Sequence, residues 1–157
     1  MNRSLPLVLA ALVLAGCGDL HYVSPQLTSE EDPDAVRMLF PFYTHAGYHR
    51  IEHLQLEKIN DIDIRGYAGA LVPSGTYRLT YNCQVEAEGQ PVVEALDRVK
   101  TLMLKPGHSY LLRTVAVAGD QGPSHCHLSV RHCEPGQRIE KVSSRNLRDH
   151  WTCRGDS

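Results

Sequence analysis

The stretch TYRLTYNC, residues 76–83, sets Tyr77, Leu79, Tyr81 and Cys83 alternately with polar neighbours. A period of two is what a half-buried β-strand writes into a sequence, because successive side chains leave opposite faces of the pleat. Tyrosine and threonine also suit a pleated surface. The same texture continues on both sides. Leu54 and Leu56 alternate in IEHLQLEK (51–58), Ile62 and Ile64 in DIDIRG (61–66), and Leu102 and Leu104 in KTLMLKPG (100–107). Cys126, Leu128 and Val130 do so in HCHLSVRH (125–132).

Turn signals separate these runs: PSG at 73–75, EGQP at 88–91, KPGH at 105–108, DQGP at 120–123 and EPGQ at 134–137. Strands are therefore expected near 51–58, 76–86, 97–105, 109–117, 125–132 and 138–143. Pro-Gly in KPG suits a type II turn, which predicts a hairpin between TLML and SYLLRTVAV. No segment sustains a helical period. The fold class expected is mainly β, a small antiparallel β-sandwich of six or seven strands over residues 49–157.

Upstream the texture differs. SPQLTSEEDPDAV (24–36) is polar, acidic and interrupted by prolines, and RMLFPFY (37–43) is a short apolar patch broken by Pro41. Residues 17–48 read as a flexible tether. Before it, Arg3 is the sole charge ahead of an apolar run from Leu5 to Ala15, the n-region and h-region of a signal peptide. That run is shorter than the roughly 20 residues a bilayer span needs. LAGC, residues 14–17, resembles the lipobox of bacterial lipoproteins. The resemblance implies that residues 1–16 are removed and that Cys17 carries a diacylglycerol and an acylated amine, with chains such as palmitate. One acyl chain binds a membrane only marginally, whereas two or three hold it firmly. Gly18, rather than an aspartate, follows that cysteine. In the best-known sorting rule this implies the periplasmic face of the outer membrane rather than the inner membrane.

The segments INDIDIRG (59–66), LVPSGTYRLTYNC (71–83) and LMLKPGHSYLL (102–112) resemble PEGA-like modules of proteobacterial lipoproteins over about residues 55–115. Here Ser74 separates Pro73 from Gly75, where the family pattern has the two adjacent. The resemblance implies a transthyretin-like or immunoglobulin-like sandwich and brings no catalytic residues with it.

Sixteen basic and 18 acidic residues give a formal charge of −2, so the composition offers no basic footprint for nucleic acid. Beyond Cys17, four cysteines remain: Cys83, Cys126, Cys133 and Cys153. An even number in an oxidising compartment favours two disulfides. Cys83 and Cys126 both share a face with apolar neighbours, which favours pairing them across the core. Cys133–Cys153 would then pin the polar C-terminal tail. Two other connectivities stay open.

SHCHLSVRHC (124–133) raises the question of metal. On a strand, Leu128 and Val130 turn Cys126 inward and leave His125 and His127 on the outer face. A mixed Cys/His zinc set therefore fails on geometry, and no C-x₂-C pair supports one. His125 and His127 can still form a surface pair. His45, His49 and His53 would share a helix face, but Gly47 interrupts it, and on a strand His49 and His53 share a side. With His132 and His150 the chain is rich in imidazole, which makes a histidine-based periplasmic metal-binding lipoprotein the alternative reading. No G-x-S-x-G, H-E-x-x-H or phosphate-loop motif occurs. Asp61 and Asp63 read as turn formers, and Arg154-Gly155-Asp156 as a chance tripeptide. The expectation is a non-enzymatic structural or interaction protein without a cofactor. It would be attached to the membrane through Cys17 and dock an envelope protein.

Overall fold

The computed structural model describes residues 20–45, 50–117, 125–142 and 150–155. The expected signal peptide, Cys17 and His49 lie outside the described residues. In chain order the strands are β1 (His21–Val23), β2 (Ala35–Leu39), β3 (Tyr43–His45), β4 (Arg50–Ile59), β5 (Ile62–Asp63), β6 (Gly69–Pro73), β7 (Gly75–Ala87), β8 (Val93–Leu104), β9 (Ser109–Val117), β10 (His125–Cys133), β11 (Gln137–Val142) and β12 (His150–Gly155). Each of the six expected strands is present. Among the described residues there is no helix.

The fold is an all-β sandwich. One sheet runs β1-β6-β2-β9-β10, and the other runs β3-β4-β7-β8 with β5 beside β4. The alternation in TYRLTYNC becomes burial: Leu79, Tyr81, Cys83 and Val85 of β7 point inward with Leu54 and Leu56 of β4. They meet Val36 and Met38 of β2, Ala70 and Val72 of β6, Leu112 of β9 and Leu128 of β10 from the facing sheet. Burying each large apolar side chain contributes about 1.5–3 kcal/mol.

Cys83 on β7 bonds Cys126 on β10, so one disulfide joins the two sheets through the core. Beside it the Leu128 N–H donates to the Tyr81 hydroxyl at 3.1 Å, and the Lys100 ammonium donates to the Leu128 carbonyl at 2.9 Å. β10 is an edge strand, and the facing sheet thus satisfies its backbone at Leu128. The second disulfide, Cys133–Cys153, fastens the two-stranded β11-β12 sheet to the end of β10. Both favoured pairings are the ones present.

Three expectations need correction. Residues 17–48 are not all tether, because β1, β2 and β3 lie inside them. β2 sits centrally, antiparallel to β6 and parallel to β9, and Val36, Met38, Leu39 and Phe40 are buried. Prolines at 33 and 41 bracket a strand of five residues, too short to declare a period. The first sheet is also mixed rather than antiparallel, since β1 pairs parallel with β6 as well. Finally, KPG does not close a hairpin. β8 pairs with β7 in one sheet and β9 with β2 and β10 in the other. The turn carries the chain across the end of the core, with Leu104 and Tyr110 buried on either side of it. It is held by the His108 N–H donating to the Lys105 carbonyl at 3.3 Å and the Lys105 N–H donating to the Tyr110 hydroxyl at 2.9 Å. Gly107 takes the positive φ of 74° that the turn requires.

A buried charge closes one side of the sandwich. Glu52 is 3% exposed, and its carboxylate accepts from Arg113 Nη2 at 3.0 Å and faces Arg50 Nε at 3.3 Å. Two guanidinium groups around one carboxylate, both still touching solvent, keep that carboxylate paired inside the sheet.

Candidate functional site

Two features of the molecule go beyond what a stable sandwich needs. The first is at the end where β8 crosses to β9. On β9 and β10, Tyr110 stands opposite His132, and Ser109 opposite Cys133. His132 therefore belongs to the inward-facing row that holds Val130 and Leu128, at the point where the row emerges from the core. His108 lies two residues before Tyr110 and projects to the same side. The His108 and His132 rings lie 5.9 Å apart, and each is 6.4 Å from the Tyr110 ring.

Glu134 completes the group from the EPGQ turn. That turn is tied by the Gln137 N–H donating to the Glu134 carbonyl and the Glu134 N–H donating to the Gln137 side chain, both at 2.9 Å. The Glu134 carboxylate lies 3.1 Å from His132 Nε2 and 3.8 Å from His108 Nδ1. The KPGH and EPGQ turns abut, since a side-chain carbon on Gly107 would stand 3.8 Å from the Pro135 ring. Cys133, disulfide-bonded to Cys153, sits between His132 and Glu134 and fixes both. Among the described residues this is the one set of three or more histidine, cysteine or acidic side chains whose donor atoms could hold a metal ion, all lying within 4.8 Å of one another.

The histidines singled out from sequence are placed differently. His125 and His127 stand on the outer face of the first sheet, as expected, with rings 6.2 Å apart. His53 alternates with buried Glu52 and Leu54 and so stands on the outer face of the other sheet. The thickness of the sandwich separates His53 from the His125/His127 pair. His108 and Glu134 were not legible as partners. Both turns can be read from sequence, but nothing in the chain says that they lie side by side.

The second feature is β8. It is the last strand of its sheet, and Val92, Leu96, Val99 and Met103 on or beside it are all at least 48% exposed. They are half of the eight exposed large apolar residues among the described ones, so the exposure is concentrated rather than scattered. Val99, Thr101 and Met103 share the outer face. In the middle of the strand, Leu96 and Asp97 together oppose Asn82, a β-bulge. Asp97 takes a φ of 51°, and its N–H donates to Asn82 Oδ1 at 2.8 Å. Lys100 turns inward to the Leu128 carbonyl. A bulge and an inward charge are two devices that stop an edge from pairing with another strand.

The described residues also form a half-open cleft of about 310 Å³ between β1 and the β6-β7 turn, lined by Tyr22, Ser24, Gln26, Asn60 and Tyr77 among others, with no charged side chain. The Tyr77 hydroxyl donates to the Pro73 carbonyl at 2.8 Å, and burial raises its pKa. Asp63 does what a turn former does. Its carboxylate accepts from the side chain and backbone N–H of Arg65, which lowers its pKa to about 2.

No family model, no curated protein and no solved structure matches this chain.

Proposed function

We propose that the chain is a lipid-anchored lipoprotein of the cell envelope that works as a protein-interaction module and not as an enzyme. Acyl chains on Cys17 hold it at the periplasmic face of the outer membrane, and the outer face of β8 docks an envelope protein. The apolar row Val92, Leu96, Val99 and Met103 carries this reading. A row of this kind is costly to leave in water, and its edge is blunted against open-ended strand pairing. That combination fits a surface reserved for a specific partner. Two disulfides agree with an oxidising compartment.

The double substitution V99E/M103E tests the surface. Both side chains are exposed, so stability should change by no more than about 0.5 kcal/mol each. In gently solubilised envelopes the native protein should migrate on a native gel as part of a larger assembly, and the variant as a free chain. Identical migration of the two would overturn the docking surface. In the same cells C17S should abolish palmitate labelling and release the chain from the membrane fraction. A labelled C17S chain would overturn the anchor.

A further inference from the structure

We propose that His108, His132 and Glu134 form a binding site for a divalent first-row cation, with zinc the best match. Two imidazoles and one carboxylate are donors suited to zinc, which binds both at about 2.0–2.2 Å. Donors arranged tetrahedrally around such an ion stand about 3.4 Å apart. The shortest carboxylate-to-imidazole separations, 3.1 Å from Oε1 to His132 and 3.8 Å from Oε2 to His108, lie near that spacing, and one donor atom from each residue lies within 4.8 Å of the others. Closing the three donors around an ion needs only side-chain rotation at the mouth of the sandwich.

An independent observation points to a ligand. His108 Nδ1 is buried and has no hydrogen-bond partner. A buried polar atom is normally satisfied, and the Glu134 carboxylate, 3.8 Å away, is too distant for a hydrogen bond. A cation between them would satisfy the nitrogen and draw on the carboxylate's charge at once. The frame is rigid in the way a metal site needs, because the two turns abut and the Cys133–Cys153 bridge lies between two of the ligands. His132 and Glu134 are more than half exposed, which gives an ion its route in and leaves the fourth position to water. His125 and His127, the pair that sequence favours, provide two donors on an open face and no third among the described residues. The site does not depend on the docking reading, since it lies at the crossover end of the sandwich and uses none of the apolar row.

The test is titration calorimetry with Zn²⁺ on the untagged full chain, in detergent, with both disulfides intact and metal first stripped by chelator. One zinc per chain should bind. H132N and E134Q should each weaken it at least tenfold, and H108N likewise. H125N/H127N should leave it unchanged. At a hundredfold excess over its Kd, zinc should raise the Tm of the native chain by about 5 °C or more and leave H132N/E134Q unmoved. His132 and Glu134 are exposed, so those two variants fold and carry the test even where H108N disturbs the turn. No saturable binding, or binding lost in H125N/H127N and retained in H132N/E134Q, would overturn the site.

Discussion

A chain beginning at residue 49 is expected to remain unfolded. Truncation there removes β2, whose place is between β6 and β9, and with it Val36, Met38, Leu39 and Phe40, none more than 8% exposed. Four such side chains contribute roughly 6–12 kcal/mol by burial. That is comparable to the whole stability of about 5–15 kcal/mol that a domain has to lose. The truncation also removes β1, so β6 loses both of its neighbours and β9 loses one, and their backbone groups are left unpaired. Circular dichroism and urea titration decide it: the full chain should unfold cooperatively, and the truncated chain should show no transition. Met38→Ala, a smaller lesion at the same place, should cost about 2–5 kcal/mol. A truncated chain that melted cooperatively near the native Tm would mean that residues 20–45 are, after all, an appendage.

Removing the inter-sheet bridge with Cys83→Ala and Cys126→Ala should cost about 4 kcal/mol, the chain-entropy value for a closed loop of 43 residues. The bridge also lies inside the core, with both cysteines no more than 2% exposed, so the lost sulfur contacts add to the effect. The urea midpoint should fall and the slope should steepen, because the unfolded chain freed of the bridge is less compact and exposes more surface. The Cys133–Cys153 bridge closes a shorter loop of 20 residues, and removing it with Cys133→Ala and Cys153→Ala should cost about 3 kcal/mol. Its consequence is more local. β11-β12 is tied to β10 through that bridge, so its loss should also loosen His132 and Glu134 and weaken zinc binding. A double variant at Cys83 and Cys126 as stable as the native chain would show that the facing sheets hold each other without the staple.

What the sequence disclosed follows from how locally each feature is encoded. The strands over IEHLQLEK, TYRLTYNC and HCHLSVRH are long enough to display their period, and the faces they assign to Cys83 and Cys126 are the faces that meet. β2 was hidden because five residues between two prolines resemble an acidic tether more than a central strand. KPG looked like a hairpin because a turn specifies its own dihedrals and not which neighbours its flanking strands choose. Leu104 and Tyr110 sit on opposite layers, and only long-range pairing decides that. The histidine cluster was hidden for the same reason. His132 was visible as one of many histidines, whereas His108 and Glu134 belong to two turns 26 residues apart that become adjacent only when β9 pairs with β10. The apolar row of β8 was half visible: Leu96, Val99 and Met103 are plain in the sequence, but their exposure follows from β8 ending its sheet.

The most direct measurement is photocrosslinking in intact envelopes, with a photoreactive amino acid placed in turn at Val99, Met103 and, as a control on the separate β11-β12 sheet, Glu140. The interaction reading predicts one discrete adduct of constant mass from positions 99 and 103, absent from position 140 and absent from 103 when Val99 is replaced by glutamate. No adduct from the β8 positions, or the same smear from all three, would contradict it.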